Sequence, residues 1–169
     1  MTWALPEWTV LATLREQPRH GFAIATLTAA DGELGRVWQI PRPVIYRALG
    51  RLEEAALVIP TIVESGPGPQ RTVYDVTPAG RAAVDEWLAA PTAHVRELRS
   101  HLLMKLALLD RRALDPADLI ARQREVLTRI VDRLTAERAA QSGFEAVLLT
   151  WRHTNATAAL NFLDEIVAD

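Results

Sequence analysis

The sequence predicts a mainly α-helical protein with one small β-hairpin, and three observations lead there. Apolar residues recur at helical spacing through most of the 169 residues. Between Val58 and Val76 the period shortens to two, around a loop rich in glycine and proline. Pro6, Pro43, Pro78 and Pro116 each stand at the opening of a helical stretch, where a missing N–H costs nothing.

In chain order, Leu5 to Gln17 reads as the first helix, with Val10, Leu11 and Leu14 on its apolar side, and Gln17-Pro18-Arg19 ends it. A second helix runs from His20 or Gly21 to Ala30, and Asp31-Gly32 then turns the chain. The third helix opens at Pro43. Ile45, Ala48, Leu49, Leu52 and Ala56 fall in one stripe of it, the pattern of a helix that buries one face. Val58, Pro60 and Ile62, then Tyr74 and Val76, alternate as two short strands, and Glu64 to Arg71 between them is a turn. Its Gly66-Pro67-Gly68-Pro69 cannot cradle a phosphate, because prolines lack N–H donors and no Gly-Lys-Ser/Thr follows.

Thr77-Pro78 starts a fourth helix that runs to Pro91. His94 to about Leu109 carries a leucine stripe, and Asp115-Pro116 caps a long helix to about Gln141. Ser142 opens a last helix to Val167, paired with the preceding one as a hairpin or dimer arm. On that last helix Phe144, Leu148, Trp151, Ala158, Phe162 and Ile166 share a face with Asn155 inside it. A lone Asn in an apolar seam fixes register and partner number, so the face is assigned to a dimer interface. The competing expectation is that Asn155 bonds its own backbone.

Three helices followed by a hairpin is the element order of a winged helix-turn-helix, whose third helix enters the DNA major groove. The third helix suits that use. From Arg36 to Arg51 there are four arginines and no carboxylate. Pro43, Arg47 and Gly50 point away from the apolar stripe, with Tyr46 and Arg51 on its flanks. Arginine binds phosphates or guanine edges, Tyr46 reaches a phosphate, and Gly50 permits close approach. Arg71, at the shoulder of the hairpin, is placed to meet backbone. A solvated arginine face is the competing reading.

Composition bounds the rest. At 49% hydrophobic the chain has ample core, and its net charge of −2 means that any DNA-binding charge is local. Residues 1–90 hold eight arginines against ten acids, and residues 91–169 hold ten arginines and Lys105 against eleven. With no cysteine, disulfides and thiolate chemistry are excluded. No apolar run approaches the about 18 residues of a membrane span, and no signal-peptide pattern opens the chain, so a cytoplasmic location is expected. The histidines (20, 94, 101 and 153) show no ligand spacing, so neither metal nor cofactor is expected. No nucleophile, P-loop or dinucleotide motif appears, so no catalytic residue and no enzyme activity are expected.

Three ordered motifs resemble the PadR family of bacterial transcriptional regulators. His20-Gly21-Phe22 is similar to that family's second-helix opening, usually His-Gly-Tyr. Val44 to Val58 is similar to its recognition-helix pattern, and Tyr74-Asp75-Val76-Thr77-Pro78-Ala79-Gly80-Arg81, with Trp87-Leu88, to its wing exit and linking helix. Looser echoes run through Arg99–Leu109 and Ala159–Asp164. Ala56 stands where the family usually has Gly, which implies a helix end without a left-handed residue. Phe22 for Tyr removes a hydroxyl.

The resemblance implies a homodimer whose winged helices, residues 1–90, bind a pseudo-palindromic operator. Residues 91–169 would hold the dimer contact and the effector. Tyr46 and Arg47 would then touch backbone or base edges, Arg42 would stand at the helix entrance, and Arg51 and Arg71 would meet phosphates. It also implies repression relieved by a small aromatic ligand. Of the five tryptophans, Trp151 at the expected interface is the candidate to meet it. A helical protein-interaction module without sequence-specific DNA binding is the alternative.

Overall fold

The computed structural model describes residues 3–64 and 71–168. The expected turn tip at Gly66–Pro69 therefore lies outside the described residues. The chain forms two compact units: residues 1–89 with 103–114, and residues 90–102 with 115–169. Residues 103–114 group with the first unit, whereas the sequence reading counts them with the second.

The first unit holds α1 (Leu5–Glu16), β1 (Arg19–His20), α2 (Gly21–Leu27), α3 (Arg42–Glu54), β2 (Val58–Glu64), β3 (Arg71–Val76) and α4 (Pro78–Ala89). The sheet is antiparallel in the order β1-β3-β2. Its first strand escapes sequence reading because two residues show no period. Arg19 pairs with Tyr74 and His20 with Val73, which ties the opening of α2 to the hairpin. The register of β2 on β3 shifts between Pro60 and Ile62. Pro60 is tolerated because β2 is an edge strand.

Val10, Leu11, Leu14, Ile24, Ile45, Leu49, Leu52, Val58 and Val84 are buried and form the core of this unit. Each comes from a stripe whose period matches its element, so burial of apolar area supplies the driving force. The Thr77 hydroxyl accepts from the Gly80 amide at 3.1 Å as the N-cap of α4. It also lies 2.9 Å from the Ala56 carbonyl, so one side chain joins the end of α3 to the start of α4.

The end of α3 departs from expectation. Ala56 has φ +55°, the left-handed conformation, and is exposed rather than part of the buried stripe. The Leu57 amide bonds the Leu52 carbonyl at 2.9 Å, and the Ala56 amide bonds that of Glu53 at 2.9 Å. This is a Schellman motif, which takes a left-handed residue whatever its side chain, because only that geometry satisfies the last carbonyls. Ala113 (φ +50°) repeats it after α6 (Leu103–Asp110).

The second unit holds α5 (Val95–Glu97), α7 (Ala117–Arg138) and α8 (Gly143–Ala168), with a π-helical turn at Leu98–Leu102 between α5 and α6. The Gln123 side-chain amide donates to the Thr92 carbonyl at 3.0 Å and accepts from its amide at 2.7 Å, both buried. That pair fixes the segment before α5 onto α7. Leu127 and Leu134 of α7, and Leu149, Ala156 and Leu163 of α8, supply the buried seam of the helical hairpin.

Candidate nucleic-acid interface

The recognition surface starts with α3, which buries Ile45, Ala48, Leu49 and Leu52 and leaves Arg42, Pro43, Tyr46 and Arg47 exposed. Gly50 lies on the outward side, with open space where a Cβ would stand. A glycine inside an exposed helix costs about 1 kcal/mol against alanine. Nothing among the described residues requires it, and close approach of another molecule would.

The α2 opening places α3. The His20 Nδ1 accepts the Ala23 amide at 3.0 Å, so a histidine serves as N-cap where Ser, Thr, Asp or Asn is usual. A Cβ on Gly21 would stand 2.9 Å from Tyr46 Cε1 and 3.0 Å from Leu49 Cδ1. The His-Gly pair thus caps one helix and lets the next pack against it, two roles that the sequence motif does not reveal.

Phe22 follows, and sequence reasoning missed its part. The residue is 40% exposed, and its ring lies beneath two guanidiniums, Arg42 at 5.1 Å and Arg71 at 4.9 Å from the centroid. Arg42 also lies 5.7 Å from the Tyr46 ring. A guanidinium over an aromatic face is attracted by the ring quadrupole. Arginines from α3 and from β3 therefore meet on one side chain of α2.

Pairing separates the arginines of this unit. Arg15 and Arg112 bond Asp85, Arg19 bonds Glu16, Arg81 bonds Asp75, and Arg111 bonds Glu16 and Glu33. The contact of Arg111 with Glu16 is bidentate, at 2.8 and 2.9 Å, and holds the guanidinium pKa above its usual value. Arg42, Arg47 and Arg71 form no ion pair among the described residues. Arg51 differs from them. It bonds Glu7 of α1, whose carboxylate is buried, and stacks 5.4 Å from the Trp3 ring.

In the second unit, the face expected at a dimer contact points away from the buried seam of α8. Phe144 is 78% exposed and Trp151 67%; Phe162 is also exposed, while Leu148 and Ile166 are half-buried. Asn155 Nδ2 donates to the Trp151 carbonyl at 2.7 Å, so within one chain it bonds its own helix. A cleft of about 540 Å³ in this unit is lined by residues including His94, Arg96, Arg133, Trp151, Arg152 and Asn155. Among the described residues no group of three or more His, Asp or Glu is placed to hold a metal ion, and no helix is long and apolar enough to cross a membrane.

Three helices, a three-stranded sheet with a hairpin and an outward arginine helix define a winged helix-turn-helix protein. Residues 10–86 match the transcriptional regulator PadR-like family. Over 100 residues, 59% of the chain, it is 32% identical to Probable transcriptional regulator Rv1176c of Mycobacterium tuberculosis. The match covers 51% of that protein, so the chain spans about half the length of this curated relative. Among solved structures it is similar to Bacillus subtilis PadR in complex with operator DNA, with TM-score 0.49 and 17% identity over 95% of this chain and 96% of that one. The Vibrio cholerae virulence activator AphA is similar with TM-score 0.43 and 24% identity, over 98% and 96%.

Proposed function

We propose that the chain is a homodimeric repressor that binds a pseudo-palindromic operator through α3 and β3 and is released by a small aromatic ligand. The observation that carries DNA binding is the segregation of charge. Arg15, Arg19, Arg51, Arg81, Arg111 and Arg112 are paired with carboxylates, while Arg42, Arg47 and Arg71, like Arg36, have no carboxylate partner among the described residues and are open to an outside anion. Phosphate contacts of this kind set register, and Tyr46, Pro43 and Gly50 between them would lie against base edges or sugar. Arg51, held by Glu7, supports α3 rather than serving as a primary phosphate contact.

Dimerisation is supported by α8, which is apolar on two faces while α7 covers only one. Burying Phe144, Trp151 and Phe162 against a second copy removes apolar surface from water on both chains. Half-sites would then lie about one DNA turn apart. The sense of regulation follows the family resemblance. The cleft beside Trp151 is where the effector is assigned: its lining joins an indole to Arg96, Arg152 and an Arg133–Glu137 pair, a mixed apolar and polar site that suits a small aromatic ligand.

Titrating the protein into duplex from its own upstream region and into a random duplex, at two salt concentrations, tests the reading. Preference for the upstream duplex by about 10³ or more is expected. Equal weak binding to both reduces the arginine face to non-specific contact. No binding at low salt overturns DNA recognition and favours the protein-interaction module. For the dimer, Asn155→Leu is expected to alter oligomeric state or subunit exchange in sedimentation; no change refutes a role for Asn155 at the seam.

A further inference from the structure

The arrangement at Phe22 carries an assignment of its own, one that rests on the DNA-binding reading. We infer that Phe22 is a positioning residue that yokes Arg42 of the recognition helix to Arg71 of the hairpin, so that the two arginines engage the DNA backbone as one unit. Two guanidiniums repel each other, and two long flexible side chains on separate elements lose rotamer freedom when they bind. Here both stand about 5 Å from one ring, and no carboxylate among the described residues pairs with either.

Without a carboxylate partner among the described residues, the two cations are held together by the aromatic face between α2 and the sheet. Phe22 is well placed to do this. The His20 cap fixes the first turn of α2, and the pairing of Arg19 and His20 with Tyr74 and Val73 joins that turn to β3, the strand that begins at Arg71. The ring is half-exposed rather than core, so packing alone does not account for an aromatic there. A side chain ordered before binding costs less to immobilise on binding, so the ring lowers the entropic cost of the clamp without touching DNA.

The test uses the full chain, an operator duplex and five proteins: wild type, Phe22→Leu, Phe22→Tyr, Arg42→Ala/Arg71→Ala, and that double variant carrying Phe22→Leu as well. Phe22→Leu is expected to weaken operator binding about five- to tenfold, the size of two partly exposed cation–π contacts. It is also expected to lower the salt slope by about one. Phe22→Tyr keeps the ring and is expected to bind like wild type. In the arginine-free background Phe22→Leu is expected to change affinity less than twofold, because there is nothing left to position.

An equal loss in both backgrounds shows a general structural role and overturns the proposal. So does an unchanged affinity for Phe22→Leu in the wild-type background. Ring-current shifts of the Arg42 and Arg71 Nε–H resonances provide a readout without DNA. Their loss in Phe22→Leu and retention in Phe22→Tyr are expected, and identical shifts in all three proteins refute the stack. If the wild type binds no duplex, the DNA reading fails, while the resonance comparison still decides whether the yoke exists.

Discussion

Replacing Ala56 with glycine should stabilise the protein, and the structure gives the size of the effect. Ala56 holds φ +55° at the left-handed position of a Schellman motif whose two hydrogen bonds are both formed at 2.9 Å. An L-residue in that region pays about 1–2 kcal/mol, from contact of its Cβ with the following carbonyl. Glycine removes that cost but gives up about 0.4–1 kcal/mol through the greater freedom of the unfolded chain. The methyl group is exposed, so no packing is lost. The net expectation is a gain of about 0.5–1 kcal/mol, or about 0.2–0.5 M in the urea midpoint. Ala113→Gly, in the same motif after α6, should gain as much. The exposed helical Ala82 supplies the control of opposite sign: Ala82→Gly should lose about 1 kcal/mol. Urea titrations of the three variants decide the matter. If Ala56→Gly is neutral or tracks Ala82→Gly, the left-handed end of α3 is wrong.

Salt dependence separates the arginines: Arg47→Ala should lower the slope of DNA binding by about one, whereas Arg51→Ala should leave it unchanged. Arg51→Ala should instead cost about 1–3 kcal/mol of stability, because it leaves the buried Glu7 carboxylate without its partner. Gly50→Ala should raise stability by about 1 kcal/mol in urea titrations yet weaken operator binding, since the Cβ has room within the chain but not against a bound molecule. Gly21→Ala should do the reverse on stability, losing about 1–3 kcal/mol as its Cβ meets Tyr46 and Leu49. Burial pulls the Lys105 ammonium, which lies 4.8 Å from the Trp87 ring, down to about 8. The unfolded chain then holds more protons between pH 8 and 10.5, so this lysine makes stability rise with pH across that window. Subtracting the pH profile of Lys105→Met from that of the wild type should expose the rise, and a flat difference refutes the assignment.

Local periodicity determined the helices and the hairpin, because each apolar stripe reports which face its own element buries. Pro43, Thr77 and Asp115 marked helix starts for the same reason: capping is a matter of a few adjacent residues. Asp115 stands one residue before the N-cap Pro116 of α7, and its carboxylate accepts the Ala117 amide at 2.9 Å. The arginine-rich side of α3 was legible too, since no carboxylate interrupts it. Only tertiary structure decided which arginines remain available. Arg51 and Arg47 look alike in sequence, yet Glu7, more than forty residues earlier, neutralises only one of them. The same holds for Phe22, a substitution that reads as the loss of a hydroxyl until β3 brings Arg71 to its face. The left-handed Ala56 was hidden because the geometry of a helix end is set by the carbonyls it must satisfy, not by the side chain that occupies it. Alone, α8 shows two apolar faces of similar strength, and packing against α7 chose Leu149, Ala156 and Leu163 for the inside. Contacts between residues distant in sequence leave no periodic trace in the chain, which is why the elements could be read from it and their pairings could not.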